Sequence, residues 1–205
     1  MKMLIHTVHH KLLGLREVCK SFIIEESEVI LVDTGINSSS ANNIIRKLAS
    51  RQYSLLVAKL CVLTHSHRDH VGGLSALKEI GNFRVAAHEA DADDIAKATG
   101  VEVDMQLRDG DVLPCGVQVI YLPGHTLGSI ALLTGDTLIA GDALRGSNEG
   151  LKPPPSFYSK DNDATIASIH YLATFDFDRI LVSHGEDVES GGKEALNKLI
   201  ESLDE

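Results

Sequence analysis

One histidine-rich stretch decides the fold of this chain: Thr64-His65-Ser66-His67-Arg68-Asp69-His70-Val71-Gly72-Gly73. It places four imidazole or carboxylate side chains within six residues, directly after the apolar segment 60–63. That segment predicts a buried strand, and the two glycines predict the start of a helix. Neutral imidazole and carboxylate groups are the usual protein ligands of zinc and related metals. The stretch therefore predicts a metal site at the end of a strand, rather than an ordinary polar loop.

Length and charge narrow the class of protein. We expect a single domain over residues 1–205, because this length suffices for a substantial core. No apolar run is long enough for a membrane span, and the first residues lack the core of a signal peptide. The three widely spaced cysteines indicate a reducing compartment, so a cytoplasmic protein is expected. The formal net charge of −10 disfavours nucleic-acid partners.

Hydrophobic periodicity predicts alternating strands and helices. Strands are expected at 3–9, 18–32 with a hairpin break at 25–28, 60–63, 84–87, 103–107, 117–122, 130–133, 137–140 and 180–182. Helices are expected at 41–48, 73–80, 89–98, 162–174 and near the C-terminus. Acidic residues crowd the start of the helix at 89–98, where the helix dipole explains them better than a second metal cluster does.

Predicted strands repeatedly end in a histidine or an aspartate. This occurs at five positions: Asp33, His65, His125, Asp142 and His184. Strands of mixed sheets deliver functional side chains to one edge in this way, and ligands bind there. Glycines beside these residues permit tight turns and close approach. The pattern predicts that these side chains form one site.

These motifs resemble those of the metallo-β-lactamase fold superfamily. Residues 65–70 have its His-X-His-X-Asp-His pattern, and 123–126, 141–142 and 183–185 are similar to its later motifs, in the same order. The segment Val32-Asp33-Thr34-Gly35 is similar to an earlier motif. The resemblance extends from about residue 20 to residue 190. It implies an α/β (α+β) fold, an αββα four-layer sandwich with two metals at one edge of the sheets.

The resemblance also implies a ligand set. His65, His67 and His125 would hold a first metal; Asp69, His70 and His184 would hold a second; Asp142 would bridge both. Three imidazoles plus water are a standard open zinc site, so two divalent metals, with zinc as the expected ion, are predicted. The second site is richer in carboxylate and suits iron or manganese as well. Asp33 is implied to orient a metal-binding histidine; a turn carboxylate is the alternative interpretation.

The other histidines are not expected to take part in chemistry. Surface, sheet-face or helix positions explain them: His6, His9, His10, His88 and His170.

The implied reaction is hydrolysis. Two metals that share a water lower its pKa, and the resulting bridging hydroxide would attack an ester-, thioester- or amide-like carbonyl. The first metal would stabilise the oxyanion, and the second would hold the leaving group. Asp69 and Asp142 are the predicted catalytic carboxylates, with Asp69 assisting proton transfer. The predicted protein is therefore a metal-dependent hydrolase enzyme.

Substrate selection is expected in the segment 143–161, which is predicted to be irregular around three prolines. Arg145 or Lys152 would bind an anionic group of the substrate, and Tyr158 would donate a hydrogen bond to the oxyanion. An ordinary surface loop stiffened by prolines is the alternative interpretation.

Among relatives, short proteins similar to glyoxalase II resemble the chain in length and motifs, so a small-molecule thioester is the expected substrate. A lactonase is an alternative, although Arg145 stands where that family places a tyrosine. A mononuclear iron oxidoreductase similar to persulfide dioxygenases is the alternative from another class; it would leave Asp69, His70 and His184 unused as ligands. Nothing in the sequence indicates an oligomeric state.

Overall fold

The computed structural model describes residues 3–12 and 16–204. The chain divides into two compact units, Met1–Leu107 and Arg108–Glu205. The single-domain expectation stays a prediction. Within the described residues, none of the helices combines the length and the apolar character that a bilayer span requires.

The first unit is built on one six-stranded sheet, whose strands are adjacent in sequence order. Antiparallel pairing joins the first three strands, and parallel pairing joins the third to the sixth. The strands are β1 (Leu4–Leu12), β2 (Arg16–Glu25), β3 (Val29–Val32), β4 (Ala58–Val62), β5 (Arg84–His88) and β6 (Met105–Leu107).

Parallel register determines which residues meet at the sheet edge. Val32 at the end of β3 pairs with Val62 of β4, and Val62 pairs with Ala86 of β5. All four side chains of β3 are buried, as expected for a central strand of Val, Ile and Leu. Residues that follow β3 and β4 therefore emerge side by side at one edge, and Asp33 comes next to the loop that starts at Leu63.

The described residues of the first unit also form the α-helices α1 (Ser38–Ser50), α2 (Arg68–Val71), α3 (Leu74–Lys78) and α4 (Glu89–Thr99). Asn37 caps α1, since its side chain accepts hydrogen bonds from the backbone N–H groups of Ser39 and Ser40. Buried residues of α1, including Ile44 and Leu48, pack with residues of β3 and β4 in one core. The helix predicted at 73–80 is shorter in the structure, and Gly72-Gly73 separates it from α2.

The second unit contains a five-stranded sheet with strand order β13-β10-β9-β8-β7 and a separate two-stranded sheet. Its strands are β7 (Val112–Leu113), β8 (Val117–Tyr121), β9 (Ile130–Thr134), β10 (Thr137–Ile139), β11 (Arg145–Ser147), β12 (Gly150–Lys152) and β13 (Arg179–Leu181). The helices α5 (Asn162–Leu172) and α6 (Gly192–Leu203) pack with this sheet in a second core.

The expectation of an irregular segment at 143–161 is wrong in part. β11 and β12 form a hairpin there, and a 3-10 turn spans Ser156–Tyr158. Each strand has only three residues and contains a glycine, so neither strand shows the alternation of apolar and polar residues that would predict it.

Candidate functional site

In the first unit, four predicted ligands lie on the loop after β4 and on α2. The ligand atoms of His65 lie within 4.8 Å of those of His67 and of His70, and those of Asp69 and His70 lie within the same distance. His65 and His70 are buried, whereas Asp69 is partly exposed. The structure therefore brings these imidazoles and this carboxylate close together, and their role as metal ligands stays a prediction.

Asp33 holds this group in place. Its Oδ1 accepts from the backbone N–H of Thr64 at 2.8 Å, and its Oδ2 accepts from Nδ1 of His70 at 2.8 Å. The contact with Asp33 makes Nδ1 of His70 the protonated nitrogen and leaves the Nε2 lone pair for a metal. Asp33 itself has a φ of +60°, a left-handed conformation that aspartate tolerates better than most residues.

Thr64 extends the same network to a second histidine. Its hydroxyl donates to Oδ2 of Asp33 at 2.8 Å and accepts from Nδ1 of His65 at 3.1 Å. One buried carboxylate thus orients two imidazoles, one directly and one through a hydroxyl. The sequence contains a signal for Asp33, but the role of Thr64 depends on its contacts and was not predicted.

The turn after Asp33 is packed against the glycines of the opening motif. Thr34 donates twice to the carbonyl of His70, from its backbone N–H at 2.7 Å and from its hydroxyl at 2.9 Å. A Cβ added at Gly72 would collide with the carbonyl of Ile36, and one added at Gly73 with the carbonyl of Thr34. Gly72 and Gly73 are therefore required for close approach of two backbone segments.

Asp91 is a further residue near these ligands that sequence reasoning did not single out. It is fully buried, and its Oδ2 accepts from the backbone N–H of Ser66 at 2.7 Å. Glu89 and Asp91 do occupy the first turn of α4, as the helix-dipole interpretation requires. The burial of Asp91 could not be predicted from the sequence, because the same residues would also fit a first helical turn that is exposed to solvent.

In the second unit, one carboxylate lies between two predicted histidine ligands. Oδ2 of Asp142 is 3.2 Å from Nε2 of His184 and 3.5 Å from Nε2 of His125. His125 follows β8, Asp142 follows β10 and His184 follows β13. Three strand ends that are distant in sequence therefore bring their side chains together, and the prediction that they bind metal stays a prediction.

Backbone contacts hold the turn that carries His125, and the Ser159 hydroxyl lies 3.5 Å from Nδ1 of its ring. The carbonyl of His125 accepts from the N–H of Lys160 at 3.2 Å, and the carbonyl of Gly124 accepts from the N–H of Asp161, the cap of α5, at 3.0 Å. Gly124 has a φ of +133°, and a Cβ there would collide with the backbone of Thr165. The glycine thus lets the His125 turn pack against the start of α5.

Close contact between Gly146 and Gly185 holds the turn that carries His184. The carbonyl of His184 accepts from the N–H of Gly146 in β11 at 3.0 Å. A Cβ at Gly185, whose φ is +85°, would collide with the carbonyl of Gly146. The hairpin that sequence reasoning missed is therefore a support for the His184 turn.

The histidines outside the predicted ligand set have other partners. His6 contacts Glu25 at 2.8 Å, and Nδ1 of His88 accepts from the N–H of Ala90 at the start of α4. His10 is buried, with Nε2 2.8 Å from the hydroxyl of Ser21. Burial, with smaller contributions from His9 and His70, lowers the pKa of His10 from 6.5 to about 4. The remaining contacts are His9 with Glu17 and His170 with Asp204.

Of the three predicted substrate residues, Lys152 and Tyr158 are exposed and Arg145 is half-buried. Arg145 and Lys152 are cross-strand partners in the β11–β12 hairpin, and Nζ of Lys152 donates to Glu149 at 2.7 Å. Tyr158 is 56% exposed, and its ring lies 4.4 Å from that of Phe157. Contact of these residues with a substrate stays a prediction.

The donor set of each unit fits divalent metals. Imidazole nitrogens and carboxylate oxygens bind zinc, iron and manganese, and buried carboxylates behind ligand histidines are typical of such sites. His70 has such a carboxylate in Asp33, at 2.8 Å. The thiol of Cys19 donates to the backbone carbonyl of Asp69, and Cys61 is buried.

Comparison with known proteins assigns the family. A model of the metallo-beta-lactamase superfamily matches residues 15–184. The chain belongs to the metallo-beta-lactamase superfamily. A metallo-beta-lactamase family protein from Thermus thermophilus has the same fold, with a TM-score of 0.76, 20% identity, and coverage of 98% of this chain and 79% of that one. The enzyme TMB-1 gives a TM-score of 0.76 at 18% identity, over 99% of this chain and 94% of that one. The predicted α/β fold of metallo-β-lactamase type is confirmed.

Two curated relatives of this superfamily member are informative. Hydroxyacylglutathione hydrolase of Cereibacter sphaeroides (strain ATCC 17023) is 28% identical over 166 residues, which is 70% of this chain and 62% of that protein. The chain thus matches about three fifths of the length of that relative. The probable metallo-hydrolase YybB of Bacillus subtilis (strain 168) is 29% identical over 181 residues, 82% of this chain and 80% of that protein.

Proposed function

We propose that the protein is a metal-dependent hydrolase that cleaves a small-molecule thioester. The observation that carries the proposal is the position of Asp142, whose Oδ2 lies 3.2 Å from His184 Nε2 and 3.5 Å from His125 Nε2. A buried carboxylate oxygen shared by two imidazoles is the arrangement expected of a bridging metal ligand. Superfamily membership and relatives named as hydrolases support the same class of reaction.

The proposed metal ligands follow the sequence pattern. One divalent metal would be held by His65, His67 and His125, and a second by Asp69, His70 and His184, with Asp142 shared. Zinc is the proposed ion, and the carboxylate-richer set also suits iron or manganese. Such metals would polarise the scissile carbonyl and lower the pKa of a bound water towards neutrality.

Side chains of the protein would then supply the proton transfer and orient the metal ligands. Asp69 is the more accessible of the two proposed catalytic carboxylates, since 28% of its side chain is exposed, against 9% for Asp142. Asp69 is therefore the proposed group that would transfer a proton to a departing thiolate or alkoxide. Asp33 and Thr64 keep the Nε2 atoms of His70 and His65 deprotonated and oriented, which a metal ligand requires.

The thioester is proposed from the relatives. Hydroxyacylglutathione hydrolases are named for a thioester substrate, and the match covers 62% of the Cereibacter sphaeroides protein, so the acyl and thiol parts are left to experiment. Arg145 and Lys152, paired across the β11–β12 hairpin, are the proposed partners of an anionic group on the substrate. Tyr158 is the proposed donor to the oxyanion.

The test combines metal analysis with turnover. Protein purified without a tag is analysed for zinc, iron and manganese, and is then assayed with a thioester, a lactone, a β-lactam and a phosphodiester. Two metals per chain with a preference for the thioester support the proposal. A preference for the lactone would favour the lactonase alternative, and one iron with oxygen consumption on a persulfide would favour the dioxygenase.

The variant Asp142→Asn tests whether Asp142 bridges two metals. This variant should lose metal and activity together, because an amide cannot replace an anionic bridge. Asp176→Asn is the matched control, since Asp176 is an exposed aspartate of the same unit, and it should behave as the parent protein does. Full metal content and activity in Asp142→Asn would refute the bridging role.

A further inference from the structure

The fully buried carboxylate of Asp91 is not explained by its helix. An acid in the first turn of a helix is stabilised by the helix dipole while its charged group stays in water. Asp91 is 0% exposed, although the neighbouring Asp93 on the same helix is exposed. Burying a carboxylate is costly unless its oxygens are hydrogen-bonded, so its partner indicates what it does.

One hydrogen-bond partner of Asp91 lies between two proposed metal ligands. Oδ2 of Asp91 accepts from the backbone N–H of Ser66 at 2.7 Å, and Ser66 separates His65 from His67. On the other side of His65, Oδ1 of Asp33 accepts from the N–H of Thr64 at 2.8 Å. Two buried carboxylates thus hold the backbone immediately before and immediately after His65.

These two hydrogen bonds affect the spacing of the His65 and His67 imidazoles. The rings of His65 and His67 have centroids 4.9 Å apart and planes inclined by 80°, and His67 has extended backbone angles of −67° and 146°. Side chains two residues apart on an extended backbone project from the same side. Their separation depends on the peptide between them, which belongs to Ser66, the residue that Asp91 holds.

We propose that Asp91 is a positioning residue that sets the His65–His67 spacing for a divalent metal, and that its charge strengthens binding of the cation. This inference rests on the proposed function. Asp91 does not itself need to touch the metal. It acts through the Ser66 amide, and its negative charge lowers the electrostatic energy of a cation held nearby.

The experiment compares Asp91→Asn, Asp91→Ala and the control Asp93→Asn. Asn keeps an oxygen acceptor for Ser66 and removes the charge, whereas Ala removes both. Apo-protein is titrated with Co²⁺ and with Zn²⁺ against a chelator, and the cobalt absorption spectrum reports the ligand environment. Melting temperatures with and without metal are measured in parallel.

We expect one of the two metals to bind 10- to 100-fold more weakly in Asp91→Asn, the range typical of partners behind a ligand, and more weakly still in Asp91→Ala. The cobalt spectrum of that site should change in Asp91→Ala, and Asp93→Asn should match the parent protein. A purely structural role would lower the melting temperature of the apo-protein while both affinities and the spectrum stayed unchanged. That outcome would overturn the inference.

The outcomes separate the two proposals. If the parent protein binds two metals and both Asp91 variants bind them equally well, only the role of Asp91 is refuted. If the parent protein binds neither metal, the proposed function fails and the role of Asp91 fails with it. If Asp91→Ala does not fold, the affinity of Asp91→Asn alone decides, because its acceptor is retained.

Discussion

The two units supply ligands in different ways. In the first unit the four proposed ligands lie within six consecutive residues, and buried side-chain groups orient them, chiefly Asp33, Thr64 and Asp91. In the second unit each ligand follows a different strand, and His125 and His184 lie at glycine turns with backbone contacts. The proposed ligands of the first unit are thus oriented by buried polar side chains, whereas in the second unit backbone contacts hold the turns and the Ser159 hydroxyl lies 3.5 Å from Nδ1 of His125.

The largest expected effect comes from Asp33→Ala. This substitution would leave the Thr64 amide and the His70 imidazole without their acceptor, and it would place alanine at a φ of +60°. Loss of a partner from a buried charged network costs about 3–5 kcal/mol of unfolding free energy. Urea denaturation checks this value, and metal titration checks the expected loss of affinity.

Asp33→Asn is the matched control, because asparagine tolerates the left-handed conformation and keeps an oxygen acceptor. It should recover most of the stability but not the metal affinity. Equal stability of Asp33→Ala and the parent protein would contradict the idea that side chains hold the first unit together at this edge.

Gly185→Ala tests the backbone-based arrangement of the second unit. The added Cβ would collide with the carbonyl of Gly146, so we expect a loss of about 3 kcal/mol in unfolding free energy and weaker metal binding. Gly135→Ala is the control: its φ is +58°, but nothing lies within 4 Å of an added Cβ. It should lose only about 1 kcal/mol, the cost of the left-handed conformation. Equal losses in the two variants would show that close approach is unimportant.

His10 should make the parent protein sensitive to mild acid. Its pKa is lowered from 6.5 to about 4 by burial in the folded state, so between these values the unfolded state binds more protons. Stability is therefore present above pH 6.5 and is lost as the pH falls towards 4, with about 2 kcal/mol lost from pH 7 to pH 5. Urea denaturation of apo-protein at several pH values measures the slope.

His10→Asn should flatten this slope, since it removes the titrating imidazole. His170→Asn is the comparison variant, because His170 is partly exposed, with 38% of its side chain accessible. An unchanged slope in His10→Asn would assign the acid sensitivity to other groups.

The smallest effect on stability is expected for Lys152→Gln. Lys152 forms an exposed ion pair with Glu149, and such pairs contribute little to folding. The melting temperature should not change. If Lys152 binds an anionic part of the substrate, KM should rise about tenfold while kcat stays constant, as expected for loss of a charge-assisted hydrogen bond. Lys198→Gln, on the exposed side of α6, should leave both constants unchanged. An unchanged KM in Lys152→Gln would remove this residue from the substrate site.

Features of the site that depend on local sequence patterns could be predicted, whereas features that depend on contacts between distant residues could not. The proposed ligand positions could be predicted from the sequence because strand periodicity and the spacing of His and Asp are local patterns. The β11–β12 hairpin was not readable, because its strands are short and contain glycine. Gly146 of that hairpin donates a hydrogen bond to the carbonyl of His184. A contact that supports a proposed ligand therefore lies in a segment whose sequence shows no periodicity.

The sequence by itself determined the family and the types and order of the proposed ligands, since these depend on residue identity and local spacing. Tertiary structure alone decided that Asp91 is buried rather than solvated, that Thr64 joins Asp33 to His65, and that Asp142 lies between His125 and His184. These are contacts between residues far apart in sequence or choices between burial and exposure. They arise from packing of whole elements, which no local pattern of residues encodes.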